Sequence, residues 1–181
     1  MRRNKKGFTL LEVVFTITLI VFLISSVLFV YIVAFRNSYY MGNRTDIHEK
    51  LHFALERMIR DIRAANSVSV TSNAITFALH EGNSDVSYYY YLYNALGSWV
   101  PPAAQTFNSQ LTYDLRRAAV SNFHYGDGDI IATALDSPAT SNTTIAISGN
   151  VAQLQLSATL GNGQFGSDRL AVSGYVRPRN V

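Results

Sequence analysis

Cysteine is absent from the 181 residues. No disulfide framework, thiolate metal site or cysteine nucleophile is therefore available. Charge is scarce as well: Asp, Glu, Lys and Arg make up 15% of the chain, against about 25% in an average soluble domain. Disorder does not follow from that scarcity, because net charge is low and 12% of the residues are aromatic. The formal charge of +3 is a poor guide to nucleic-acid binding. Arg2, Arg3, Lys5 and Lys6 supply four of the 15 basic residues, and from residue 8 onward 11 basic residues face 12 acidic ones. That balance offers no general footprint for DNA or RNA. No internal repeat, phosphate loop, cofactor fingerprint or nucleophile–base pair is visible. The chain reads as a non-enzyme without a cofactor, and its length fits one domain with an appendage.

Between Phe8 and Phe35 there is no proline and no glycine, and the single side chain charged at neutral pH is Glu12. A helix over that stretch would span about 42 Å, more than the roughly 30 Å hydrocarbon core of a bilayer. The four basic residues directly before it predict a cytoplasmic amino terminus, with the rest of the chain outside the membrane. A secretory signal would have a shorter apolar region followed by a small-residue cleavage site. Here the small residue, Gly7, comes before the apolar run. Cleavage there would remove the charged leader and keep the hydrophobic helix.

The stretch Lys5-Lys6-Gly7-Phe8-Thr9-Leu10-Leu11-Glu12 closely resembles the class III signal of type IV pilins and type II secretion pseudopilins. The resemblance implies cleavage by a prepilin peptidase between Gly7 and Phe8, followed by N-methylation of Phe8. The signal is specific because a basic leader, a Gly, a Phe, a Glu at fixed spacing and an uncharged run occur together. Glu12 can also be weighed physically. A carboxylate in an apolar helix costs about 2.5–3.5 kcal/mol near the bilayer centre and less toward the interface, so it is usually paired or functional. Cleavage after Gly7 creates an amino group four residues away. The family resemblance implies that Glu12 pairs with the amine of a neighbouring subunit and registers it during assembly.

After Arg36 the helical period continues. Ile47, Leu51, Ala54, Leu55, Met58, Ile62 and Ala65 fall on one face, with Arg57, Arg60, Asp61 and Arg63 mostly off it. The spacing predicts one helix from about Phe8 to Asn66, with a possible kink at Met41-Gly42-Asn43. From residue 67 the period shifts to two. Val68–Val70 and Ala74–Leu79 read as a strand pair, Val86–Tyr93 as a third strand, and Leu111–Ala118 as a fourth. Ser121–Tyr125 reads as the start of another strand, and Val151–Leu160 with Asp168–Arg177 as a terminal hairpin. Asn94–Ser109 and Asp127–Thr144 read as loops. The fold class is α+β: a long N-terminal helix on an antiparallel sheet, a pilin-like ladle. Its expected divisions are a leader over 1–7, a transmembrane and assembly helix over 8–35, an amphipathic half over 36–66 and a β-rich extracytoplasmic domain over 67–181.

Several residues invite other chemistry. His48-Glu49-Lys50-Leu51-His52 matches the H-E-x-x-H pattern of zinc peptidases, in which two histidines at i, i+4 hold Zn²⁺ and the Glu acts as base. A membrane-anchored zinc hydrolase is thus the remote alternative. The third-ligand context is missing, with Leu55 and Met58 where a metzincin has Gly and His. Asp127, Asp129 and Asp136 are the calcium candidates, although their spacing departs from an EF-hand and Asp-Gly clusters commonly make turns. Tyr88–Tyr91 with Tyr93 can form a stacking surface, although a strand buries half of its side chains and β-propensity also explains the run. Arg116, Arg117, Arg177 and Arg179 are the candidates for a phosphate backbone, which makes an adhesin or DNA receptor the second reading. His80 and His124 show no partner in the sequence.

Over residues 36–181 the pattern resembles the larger minor subunits, the J-type pseudopilins and W-type minor pilins. It includes Leu55–Arg63, Tyr88–Tyr93, Leu115–Arg117, Asn122–Gly128 and the tail Arg179-Asn180. The resemblance implies a minor pilin or pseudopilin of a type IV pilus, type II secretion or competence filament, acting in filament initiation or at the tip. Implied partners are other pilin or pseudopilin subunits, prepilin peptidase, an inner-membrane assembly platform and membrane lipid before assembly. Nucleic acid is not an expected partner. Implied location is the inner membrane, with the bulk outside, and then a periplasmic or surface filament.

Overall fold

Helix α1 runs from Leu10 to Ala64 without a break, in a computed structural model that describes residues 9–71, 74–101, 105–140, 143–148, 151–162 and 166–178. The Met41-Gly42-Asn43 stretch stays helical. The chain falls into two compact units, one ending at Asn43 and one beginning at Arg44.

In the first unit every residue from Leu10 to Tyr39 is exposed, including Phe15, Phe22 and Phe29. Three of its hydroxyl side chains bond back to the helix. Thr16 Oγ1 donates to the Glu12 and Val13 carbonyls at 2.9 and 2.8 Å, Thr18 to Phe15 at 2.8 Å, and Ser26 to Leu23 at 2.8 Å. Hydroxyls bonded back to their own helix leave no donor that needs water. The segment is long and apolar enough to cross a membrane.

In the second unit α1 buries Leu51, Ala54, Leu55, Met58 and Ile62, the face that the 3.6-residue period predicts. The helix ends where the Asn66 amide leaves the helical ladder and donates to the Ala78 carbonyl at 2.9 Å. A five-stranded antiparallel meander follows: β1 (Ser67–Thr71), β2 (Ala74–Glu81), β3 (Ser84–Tyr93), β4 (Tyr113–Ala119) and β5 (Asp129–Leu135), in that spatial order. A short 3₁₀ turn at Pro138–Thr140 leads to a second antiparallel sheet of β6 (Thr144–Ser148), β7 (Val151–Asn162) and β8 (Gly166–Val176). The helix face, Ile75, Phe77, Tyr90, Leu92 and Leu115 of the first sheet, and Leu154, Leu156, Leu170 and Val172 of the second form one core. Each large side chain buried there contributes roughly 1.5–3 kcal/mol. Where α1 meets β8, a Cβ on Gly174 would lie 2.9 Å from Ile59 Cδ1, so the close approach depends on glycine. The α+β class, a long helix packed on an antiparallel sheet, is as the sequence predicts.

Three expectations are corrected. Ser121–Tyr125 is not a strand: it forms turns, with Asn122 at φ 57° followed by Gly126 at φ 107°, and an extended strand cannot pass through left-handed backbone. Asp127–Thr144 is not one loop, because it contains β5 and the 3₁₀ turn. β5 hid from a period-two reading because its register against β4 shifts on either side of Leu115. A bulge there buries Ile131 and Ala132 consecutively and leaves Ile130 exposed. The second sheet also has a third strand, β6, beyond the expected hairpin.

Candidate functional site

Gly7 and Phe8 lie outside the described residues. Thr9 opens α1: its Oγ1 accepts from the Glu12 amide at 3.3 Å, and its carbonyl accepts from the Val13 amide at 3.2 Å. Thr9 is thus the N-cap and Glu12 occupies the third helical position. There a carboxylate meets the positive end of the helix dipole, a placement worth about 0.3–1 kcal/mol at an exposed terminus. No hydrogen bond or ion pair reaches the Glu12 carboxylate among the described residues. Sequence reasoning missed Thr9. The signal was present, because Thr9-Leu10-Leu11-Glu12 has capping-box spacing.

His48 and His52 stand one turn apart on the exposed side of α1, with ring centroids 4.5 Å apart and planes inclined at 59°. Glu49 is exposed as well. Among the described residues no three His, Asp or Glu side chains form a metal-ligating group. The zinc-peptidase pattern therefore keeps its two histidines and gains no third ligand there.

The three aspartates of the calcium candidate have separate partners. Asp127 Oδ2 accepts from the His124 amide at 2.8 Å. Asp129 Oδ2 lies 3.5 Å from Arg57 of α1. Asp136 Oδ2 accepts from the Ser157 and Thr159 hydroxyls at 3.0 Å each and lies 3.5 Å from Arg169. Both remaining histidines prove to be engaged: His80 Nδ1 is 2.8 Å from Asp85 Oδ1, and His124 Nδ1 is 3.4 Å from Asp127 Oδ2.

Strand β3 divides its tyrosines between two faces. Tyr88 and Tyr90 join Phe77 in the core under α1. Tyr89, Tyr91 and Tyr93 face the other way and pack with Trp99, Phe123 and Tyr125. Tyr90 and Tyr91 are fully buried and Tyr88, Tyr89 and Tyr93 half-buried, so the two buried tyrosines lie on opposite faces of the strand. Burial pushes the Tyr91 phenol up to about 12 and raises those of Tyr90 and Tyr125. Tyr88 is raised chiefly by its hydrogen bond to Glu81, at 2.7 Å. Tyr89, Trp99, Val100, Phe123, His124 and Tyr125 line an open cleft of about 420 Å³.

Among the described residues, Arg116 and Arg117 are engaged within the fold. Arg116 stacks 4.2 Å from the Tyr93 ring centre and donates to the Gly126 carbonyl. Arg117 pairs with Asp61 and stacks 3.9 Å over Tyr88. Arg177 is exposed, and Arg179 lies outside the described residues.

The amino-terminal features stand against an independent comparison. Residues 2–28 match the family model of the prokaryotic N-terminal methylation motif. No curated protein and no solved structure matches the chain. Residues 2–28, which include Gly7, Phe8, Thr9 and Glu12, thus carry a prokaryotic N-terminal methylation motif, a type IV pilin-like signal.

Proposed function

We propose that the protein is a minor pilin or pseudopilin, a structural subunit of a type IV pilus, type II secretion or competence filament, acting in filament initiation or at the tip. One observation carries the reading: the methylation motif at residues 2–28 runs directly into a fully exposed apolar helical segment with Glu12 in its first turn. An apolar surface of that length needs cover, and lipid or a bundle of like helices supplies it. On this reading residues 1–7 are a leader that prepilin peptidase removes between Gly7 and Phe8, and Phe8 becomes N-methylated. Residues 8–35 cross the inner membrane until an assembly platform draws them into the filament. Residues 36–66 and 67–181 lie outside, as the amphipathic half of the helix and the β-rich domain. The minor-subunit part of the reading rests on the likeness of residues 36–181 to the larger minor subunits.

The test is fractionation of cells with and without prepilin peptidase. Recovery of the chain with sheared filaments only where the peptidase is present supports the proposal. Recovery solely in the membrane of peptidase-containing, filament-forming cells contradicts it.

The aromatic cleft favours a second reading, a filament-borne binding module. Its volume lies within the range of about 300–1,000 Å³ typical of ligand sites, and aromatic side chains dominate its lining. Full-length protein in detergent, probed with glycans and with duplex DNA, tests this. Retention that Tyr89→Ala and Phe123→Ala abolish supports it; no retention contradicts it.

A further inference from the structure

We propose that His48 and His52 together form a two-nitrogen site for a late first-row divalent metal ion, copper(II) before nickel(II) and zinc(II). The chain has four histidines, and two are engaged with aspartates, His80 with Asp85 and His124 with Asp127. His48 and His52 differ. Both are exposed, they face each other, and neither has a hydrogen-bond or ion-pair partner among the described residues. Their ring nitrogens are therefore available to a ligand.

The geometry suits one shared ion. Side chains four residues apart on a helix lie about 5–6 Å from each other at Cβ, the spacing that lets two imidazoles reach a single metal. Two imidazoles bound cis at about 2.0 Å place their ring centres about 4.5 Å apart in a tetragonal complex. The centroid separation here is 4.5 Å, which matches that spacing. Local charge also favours a cation. Asp46, Glu49 and Glu56 line the shallow groove beside His52, and the one lysine among them, Lys50, is held by Asp46 at 2.6 Å. Imidazole pairs favour Cu²⁺, Ni²⁺ and Zn²⁺, whereas hard Ca²⁺ and Mg²⁺ prefer oxygen. Water or a group from another molecule completes the coordination, and no catalytic step is implied.

The test uses the untagged full-length chain in detergent, titrated with copper(II), zinc(II) and calcium while copper binding is followed by electron paramagnetic resonance. The expected result is one copper equivalent with hyperfine structure from two nitrogens, weaker zinc binding and no calcium binding. His48→Ala and His52→Ala should each weaken copper binding by at least about tenfold, while His80→Ala and His124→Ala leave it unchanged. All four positions are on the surface or in short turns, and circular dichroism checks that the helix persists. Hydrogen exchange gives a second readout, with amides around residues 48–52 slowed by copper in the parent and not in His48→Ala. Parent-like copper affinity in the double variant His48→Ala/His52→Ala would overturn the proposal. Equal losses from His80→Ala would overturn it too.

Discussion

Arg117 of β4 and Asp61 of α1 form an ion pair at 3.0 Å across 56 residues of sequence, and each side chain is less than one-fifth exposed. The same Asp61 oxygen, Oδ2, accepts from the Tyr90 hydroxyl at 2.7 Å. Arg117 also lies over the Tyr88 and Phe77 rings, at 3.9 and 5.8 Å. One carboxylate thus ties the helical part of the second unit to two adjacent strands. Its negative charge is matched by a guanidinium that is itself stacked on aromatic faces.

Removing one partner of such a pair leaves the other largely buried and uncompensated. Asp61→Ala should destabilise the second unit by about 2–4 kcal/mol, whereas Tyr90→Phe should cost only about 1 kcal/mol because the ion pair survives. Arg117→Lys keeps the charge but loses the planar stack, and should fall between them. Thermal unfolding of the full-length chain in detergent, followed by circular dichroism, gives the order. Equal stability of Asp61→Ala and the parent would show that the pair adds nothing.

The legibility of these features differed for physical reasons. The face Ile47 to Ala65 was readable because a helix burying one side repeats every 3.6 residues; Leu51, Ala54, Leu55, Met58, Ile62 and Ala65 are buried and Ile47 is half-buried against them. Asp61 was readable only as a residue off that face, because nothing local marks a partner 56 residues away. Strand β5 was obscured by its bulge, and the turn at 121–127 by Phe123 and Tyr125, whose β-propensity masks the left-handed Asn122 and Gly126 beside them. At the amino terminus, the basic leader, Gly7 and Glu12 were legible as a linear motif, while the Thr9 cap was overlooked.

High pH offers a second test. Tyr90 and Tyr91 have phenols raised above the ordinary value of 10.0, chiefly by burial. A phenol that holds its proton more tightly when folded contributes stability that is complete below the unfolded value. That stability is lost as pH rises above about 10. Stability should therefore be flat near neutrality and fall from pH 10 upward, more gently in Tyr90→Phe and Tyr91→Phe. Denaturant midpoints measured between pH 8 and 11 check this. An alkaline slope identical in both variants and the parent would assign the loss to other groups.

Glu12 supplies a third prediction, resting on the proposed filament role. Glu12→Ala should insert into the membrane at least as well as the parent, because an apolar helix loses a charge. It should still be cleaved after Gly7, yet enter filaments poorly, since a neighbour's amine would be left unpaired in an apolar bundle. Glu12→Gln should resemble Glu12→Ala or lie between it and the parent, and Glu12→Asp should rescue in part. The ratio of filament-associated to membrane-held protein, at matched expression, is the readout. Parent-like incorporation of Glu12→Ala would show that the carboxylate is dispensable.

The central claim is that the first seven residues are a removable leader on a filament subunit, and the intact mass and amino-terminal sequence of the mature protein test it most directly. In cells that contain prepilin peptidase, the protein should begin at Phe8 and carry one additional methyl group on its amine. Replacing Gly7 with a bulky residue should leave residues 1–7 attached. A mature protein that still begins at Met1 in such cells would contradict the account.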